Sequence, residues 1–175
     1  MMASRSRSWV DALLQQLQGK IADTPLFTIF DGICDNTLLN GIHLAVFVEP
    51  YLSFVLQGKK TVESRFSVNR LPPYEQVRKG DLIVLKKSSG PICGVCKVSS
   101  VWYYRLDPSS WAEIEQHAVA LCMDHSPFWA KKRNASFATL MRIEEVVPIS
   151  DLLIDKVDPR SWVVLKDSNR QSSLI

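Results

Sequence analysis

The sequence predicts an α+β protein, a mixed β-barrel of about six strands flanked by short helices and preceded by an N-terminal helical extension. The strand-like segments recur along most of the chain, and the helical stretches between them are short. They do not alternate with the strands in the regular way a doubly wound parallel sheet requires. Near the N-terminus, Trp9, Val10, Leu13, Leu14 and Leu17 recur at helical spacing, which predicts an amphipathic helix packed on the barrel with Ser8 as its cap. Arg5, Arg7 and the neighbouring serines give this stretch some likeness to an organelle transit peptide, against which Asp11 and the glutamines argue.

Residues 25–30, the Asp31-Gly32 pair and the segment to Leu39 read as an extended piece and a turn. From Ile42 the order is clearer: strand 42–48, helix 50–57, strand 60–66, a proline-bearing loop at Leu71-Pro72-Pro73-Tyr74 and strand 81–87. Pro50 suits the first turn of the helix, and Gly58 can take the left-handed conformation past its end. A turn at Ser88-Ser89-Gly90-Pro91 leads into a β-rich run over 92–104. Residues 110–122 form a helix, because Ser110-x-x-Glu113 is a capping box and Trp111, Ile114, Ala118, Leu121 and Cys122 share one face. After the basic loop Lys131-Lys132-Arg133 come strand 136–147, a helical turn near 150–153 and a last strand at 161–165. The organisation is an extension over 1–41, one domain over 42–166 and a loose polar tail over 167–175.

Composition narrows the class. A chain of 175 residues suits one domain with a core that needs no metal or disulfide to hold it. Its 46% hydrophobic and 22% charged content is that of a soluble globular protein, and no run approaches the roughly eighteen apolar residues of a membrane span. A net charge of +3 falls short of a dedicated nucleic-acid binder, although a local patch can still be positive. Four cysteines without a charged-then-apolar leader predict reduced thiols and a cytoplasmic protein. No Ser-His-Asp pattern or phosphate-cradling loop is found, and no cofactor is expected.

The most informative stretch is Gly58-Lys59-Lys60-Thr61-Val62-Glu63-Ser64-Arg65. Strand periodicity places Glu63 and Arg65 on one face, and Val62, Ser64 and Phe66 on the other, toward the core. Lys60 sits at the helix-to-strand joint, where strand parity does not bind it, and Lys59 is expected in solvent. Arg65 offers a planar fork for a phosphate or a base edge. Lys60 adds a point charge or, if desolvated, a proton acceptor, and Glu63 can orient both cations or act as a general base. The plainer reading is an exposed ion cluster worth about 0–1 kcal/mol.

Two other groups invite a reading. Cys93-x-x-Cys96 and Cys122-x-x-His125 together would make a Cys₃His zinc set. Cys93 and Cys96 fall in a β-rich run where residues three apart face opposite ways, and Cys122 lies on an apolar helix face, so no metal site is expected. Lys131, Lys132 and Arg133 follow Phe128 and Trp129, the mixture of cations and aromatics that stacks bases and holds phosphates in single-stranded RNA. A loop anchored by its aromatics, with solvated cations, is the alternative.

The motif G-x-K-x-x-E-x-R, with Val48-Glu49-Pro50-Tyr51 before it and the Lys79-Gly80-Asp81 turn and apolar strand after it, resembles the ASCH domain family over roughly residues 42–165. The resemblance implies a PUA-like barrel flanked by helices, with a ligand cleft lined by the positions of Gly58, Lys60, Glu63 and Arg65. It further implies an RNA, nucleotide or nucleoside ligand. Two activities come with it as an alternative, ribonucleolytic cleavage and hydrolysis of the acetyl amide of N4-acetylcytidine, with Lys60 and Glu63 as catalytic groups. The amidohydrolase branch uses a lysine and a threonine three positions later; here that position holds Glu63, with Thr61 displaced beside Lys60. A protein partner contacting residues 1–20 is a further expectation.

Overall fold

The strand-forming segments assemble into one mixed sheet, seen in a computed structural model that describes residues 3–124, 127–156 and 158–168. Its strands are β1 (Ile42–Phe47), β2 (Val62–Ser67), β3 (Leu82–Lys87), β4 (Ile92–Arg105), β5 (Phe137–Leu152) and β6 (Trp162–Lys166). They lie in the order β2-β5-β4-β3-β1-β6. Only β1 and β3 are parallel, and the crossover joining them carries a helix and β2. The β4–β5 ladder shifts register between Ile92 and Gly94, Val95 and Lys97, and Val98 and Ser100. Such bulges bend and twist a ladder, and they curl this sheet into a half-barrel whose edges, β2 and β6, are not hydrogen-bonded to each other.

Both faces are covered, which is why β3 is an unbroken apolar run from Leu82 to Leu85. Leu82 and Val84 pack with Leu13 and Leu17 of α1 (Ala3–Lys20) and Phe30 and Ile33 of α2 (Phe27–Cys34). Ile83 and Leu85 face Leu52 and Val55 of α3 (Tyr51–Leu56). A third cluster joins Val62, Ala138 and Leu140 to Ile114 of α4 (Pro108–Glu115), with Phe128 and Trp129 of α5 (Phe128–Lys132) against it. At Gly94 a Cβ would stand 3.0 Å from the Leu56 side chain and 3.2 Å from Leu85, so glycine lets α3 lie close on the sheet.

Several sequence expectations give way to longer-range constraints. Residues 27–34 are helical, not extended: Leu26, Phe30 and Ile33 fall on one buried face, and Gly32 sits inside the helix, where Leu38 packs against it. Ser8 lies within α1, so the helix start expected there belongs earlier. Asp107, not Ser110, caps α4. Its carboxylate accepts from the Ser110 N–H at 2.7 Å, while the Ser110 hydroxyl accepts from the Asp107 N–H at 2.8 Å. Pro108 takes the first helical position, and the chain leaves the helix after Glu115 for turns that end with Cys122 at φ +57°. The helical turn expected near 150–153 is instead the end of β5, since Leu152 pairs with Ile92. The basic segment expected as a loop is mostly the short helix α5. Residues on both sides of the 41/42 boundary share one core, in which Leu13, Leu17, Phe30 and Ile33 pack with Ile42 and Leu82. Among the described residues, no helix is long and apolar enough to cross a membrane.

Leu17 is fully buried between α1 and the sheet, whereas its neighbour Gln16 is exposed. Urea unfolding should show Leu17→Ala losing about 2–5 kcal/mol, with Gln16→Ala within about 0.5 kcal/mol of the parent.

Candidate ligand-binding cleft

Gly58, at φ +74°, ends α3 in the conformation that disfavours a side chain. The N–H groups of Lys59 and Lys60 then both bond to the Phe54 carbonyl, at 2.9 and 3.0 Å. This tight corner turns the two lysines apart. Lys59 stays exposed over the Phe54 ring, while Lys60 turns inward and is only 1% exposed. Lys60 Nζ donates to the Leu121 carbonyl at 2.9 Å, stands 3.7 Å from Glu63 Oε2 and lies 5.5 Å from the Tyr51 ring centre. Burial holds its pKa below the ordinary 10.5, against the opposing pull of the Glu63 carboxylate.

Glu63 and Arg65 share a face of β2, as strand periodicity predicts. Arg65 Nε is 3.2 Å from Glu63 Oε1, though not aligned for a hydrogen bond. The guanidinium reaches across the gap between the sheet edges. One Nη donates to the Val46 carbonyl of β1 at 3.0 Å, the other to the Ser161 carbonyl ahead of β6 at 3.5 Å, and the plane rests near the rings of Phe47 and Trp162. The fork expected for a ligand is therefore partly used in bridging the half-barrel.

A cavity of about 590 Å³ opens beside this corner. Lys60, Glu63, Ser64 and Arg65 line one side, and Tyr51 and Phe128 supply aromatic walls. Lys131 and Lys132 of α5 line the same cavity, so two basic elements separated by sixty-odd residues converge on it. Arg133 does not join them: it pairs with Glu115 at 3.0 Å and sits over Trp111. Gly58 does not line the cavity either; its contribution is the corner that aims Lys60.

The polar accounting marks the site independently. Among the described residues, the buried side-chain atoms without a hydrogen-bond partner are Glu63 Oε2, Ser64 Oγ, Arg65 Nε, Thr139 Oγ1 and Ser168 Oγ. All but the last cluster on β2 and on the β5 position opposite Arg65. An unsatisfied buried group costs about 1–3 kcal/mol, so such a cluster is an unusual concentration of unmet polar capacity. Sequence reasoning missed Ser64 and Thr139. It assigned Ser64 to the core face by parity, and Ser64 is buried there, but the cavity also reaches that face, where Ser64 and Phe66 line it.

Other groups resolve as structural. Asp81 is wholly buried and accepts from the N–H groups of Gly41 and Arg78, both at 2.8 Å, and from His43 at 2.9 Å. Since His43 Nδ1 accepts from the Trp162 indole at 3.2 Å, its Nε2 carries the proton given to Asp81. The turn at Lys79-Gly80-Asp81 is thus an anchor at the start of β3 and closes no hairpin, since β2 and β3 are not neighbours in the sheet. Cys93 and Cys96 both pack toward the α3 side, because bulges in β4 break strand parity between them. Burial raises the pKa of both thiols. Among the described residues, no group of three or more metal-ligating side chains is placed to hold an ion, and His125 of the Cys₃His set lies outside those residues.

A curled mixed sheet covered by helices, with a cleft at its open seam, makes this an α+β protein of the half-barrel class. The ASCH domain model matches residues 46–151, and the chain belongs to the ASCH domain family. An ASCH protein from Zymomonas mobilis has a similar solved structure, with TM-score 0.58 at 12% identity over 72% of this chain and 88% of that one. A point variant of the same protein aligns with TM-score 0.55 at 12% identity, covering 74% of this chain and 91% of the other. No curated protein matches the sequence.

The depressed pKa of Lys60 has a measurable sign. Because the folded pKa lies below the unfolded one, the unfolded chain binds more protons in the window between them, and folding stability rises with pH through that window toward 10.5. In urea titrations from neutral pH to 10.5, Lys60→Met should remove this part of the rise. An unchanged slope would mean that Lys60 is not desolvated.

Proposed function

We propose that the protein binds RNA or a nucleotide, with a base or nucleoside in the cavity beside Lys60, Glu63 and Arg65 and phosphate held by Lys131 and Lys132. The observation that carries this reading is the gathering of unpartnered buried polar atoms, Glu63 Oε2, Ser64 Oγ and Arg65 Nε, around a cavity that α5 rims with two lysines. Its aromatic walls suit a ring, its floor offers donors and acceptors to a base edge, and its volume of about 590 Å³ lies in the range of small-molecule sites. Membership in the ASCH family supports an RNA-directed role. The four cysteines are free thiols, which supports placing the protein in a reducing cytoplasm. Binding of single-stranded RNA should weaken steeply with salt as phosphates release counterions. Reversing both α5 lysines (Lys131→Glu with Lys132→Glu) should weaken it by roughly tenfold or more and flatten the salt slope. Arg133→Ala, which removes a residue outside the cavity, should change affinity by less than about twofold. Anisotropy titrations at several salt concentrations test this, and absent or salt-independent binding would overturn the reading.

A second reading, a hydrolase acting on RNA or a modified nucleoside, is favoured by one specific observation. Lys60 is a buried amine with a depressed pKa beside the Glu63 carboxylate, a pair able to move a proton, and the Ser64 hydroxyl lines the same cavity. Thr61 is exposed and does not line the cavity, so any hydroxyl needed would come from Ser64. Incubation with N4-acetylcytidine, and separately with single-stranded RNA, distinguishes the activities. Turnover lost in Lys60→Ala would establish the enzyme, and no turnover of either substrate would leave binding alone.

A further inference from the structure

We infer that a second, smaller pocket beyond Arg65 receives the neighbouring base of a bound RNA strand, so that the protein reads a dinucleotide step. The inference rests on the RNA reading of the main cavity and goes beyond it. This pocket, of about 140 Å³, shares Arg65, Phe66 and Ser161 with the main cavity and lies along the same seam. Leu71, Pro72, Pro73 and Trp162 wall it, leaving Thr139 as a buried polar group beside Arg65. Thr139 is 1% exposed, its Oγ1 has no hydrogen-bond partner, and its backbone stands directly opposite Arg65 in the β2–β5 ladder.

Size and chemistry limit the occupant. The pocket is many times what one water needs but well below the roughly 300 Å³ of a site for a whole drug-sized ligand. One flat ring fits between proline and leucine walls, with the Thr139 hydroxyl free to donate to or accept from its edge. Arg65 stands between the two pockets. Its Nε lies against the Glu63 carboxylate and one Nη is held by the Val46 carbonyl, but the other Nη makes only a 3.5 Å contact at the surface, so that edge of the guanidinium is available to a phosphate linking the two rings. Base-edge and backbone recognition on an open strand takes this form: successive bases seated in apolar niches with a cation at the linkage.

The test compares the 5′-phosphorylated ribodinucleotides with the ribonucleoside 5′-monophosphates by calorimetry on the full chain. The best dinucleotide should bind roughly tenfold or more tightly than the best mononucleotide. Leu71→Trp, a change at an exposed residue that fills the small pocket, should abolish that gain while mononucleotide affinity stays unchanged. Thr139→Val, which removes an unpartnered hydroxyl at near-constant volume, should reduce the gain several-fold without lowering the melting temperature. A gain that survives Leu71→Trp would come from the added phosphate charge alone and would overturn the subsite. Mononucleotide binding with no dinucleotide gain would also overturn it while leaving the main cavity's reading intact. No binding of either probe would overturn both.

Discussion

The structure turns on how its open seam is held. A six-stranded sheet curls far enough to bring its two edges near each other, but no ladder joins them, and the junction is made by Arg65 reaching from β2 to the carbonyls of Val46 and Ser161. A guanidinium suits this position because it is planar and always charged, and because it can donate in more than one direction while lying near the Phe47 and Trp162 rings. A charge-assisted bond such as that to the Val46 carbonyl is worth about 1.5–3 kcal/mol, while the longer, exposed contact to Ser161 adds less. The same residue forms one wall of the cleft, so the element that steadies the fold also shapes the site.

From Arg65 the polar groups run inward in one direction and outward in another. Glu63 lies between Arg65 and Lys60, and Lys60 is fixed by the Leu121 carbonyl in the turn after α4. On the far side, Trp162 links the guanidinium to His43 and the buried Asp81, which ties the turn before β3 to the strands on either side. Buried charges are costly unless paired, and here each is paired or hydrogen-bonded except at the atoms facing the cleft. Among the described residues, the concentration of unsatisfied atoms on β2, at Glu63, Ser64 and Arg65, distinguishes the ion cluster from an ordinary surface network.

Much of this was legible in the chain. The helix-to-strand corner could be read because its parts are local: an apolar helix, a glycine past its end, and a strand whose period places Glu63 with Arg65. The convergence of Lys131 and Lys132 on that corner was not legible, because it depends on how α5 docks against Phe66 through Phe128. The pairing of Arg133 with Glu115 was not legible for the same reason, since Glu115 lies on another helix. Thr139 carries no sequence signal of its own; only the register of β2 against β5 sets it beside Arg65. The errors in fold share a cause. Asp31-Gly32 looked like a turn and residues 150–153 like a helical end because local preference was weighed without the tertiary contacts that Phe30 and Leu152 make.

The cluster that unites Leu17 and Phe30 with Val163 has a bearing on how the molecule is made. The helices α1 and α2 pack on Ile42 and Leu44 of β1 and on Leu82 and Val84 of β3, but their cluster is completed only by Val163 of β6, nearly one hundred and fifty residues after Leu17. Contacts of such long sequence separation are slow to close and leave apolar surface exposed meanwhile. During synthesis the nascent chain therefore presents α1 and α2 as sticky, unfinished helices, which makes it a natural client for chaperones that shelter greasy segments.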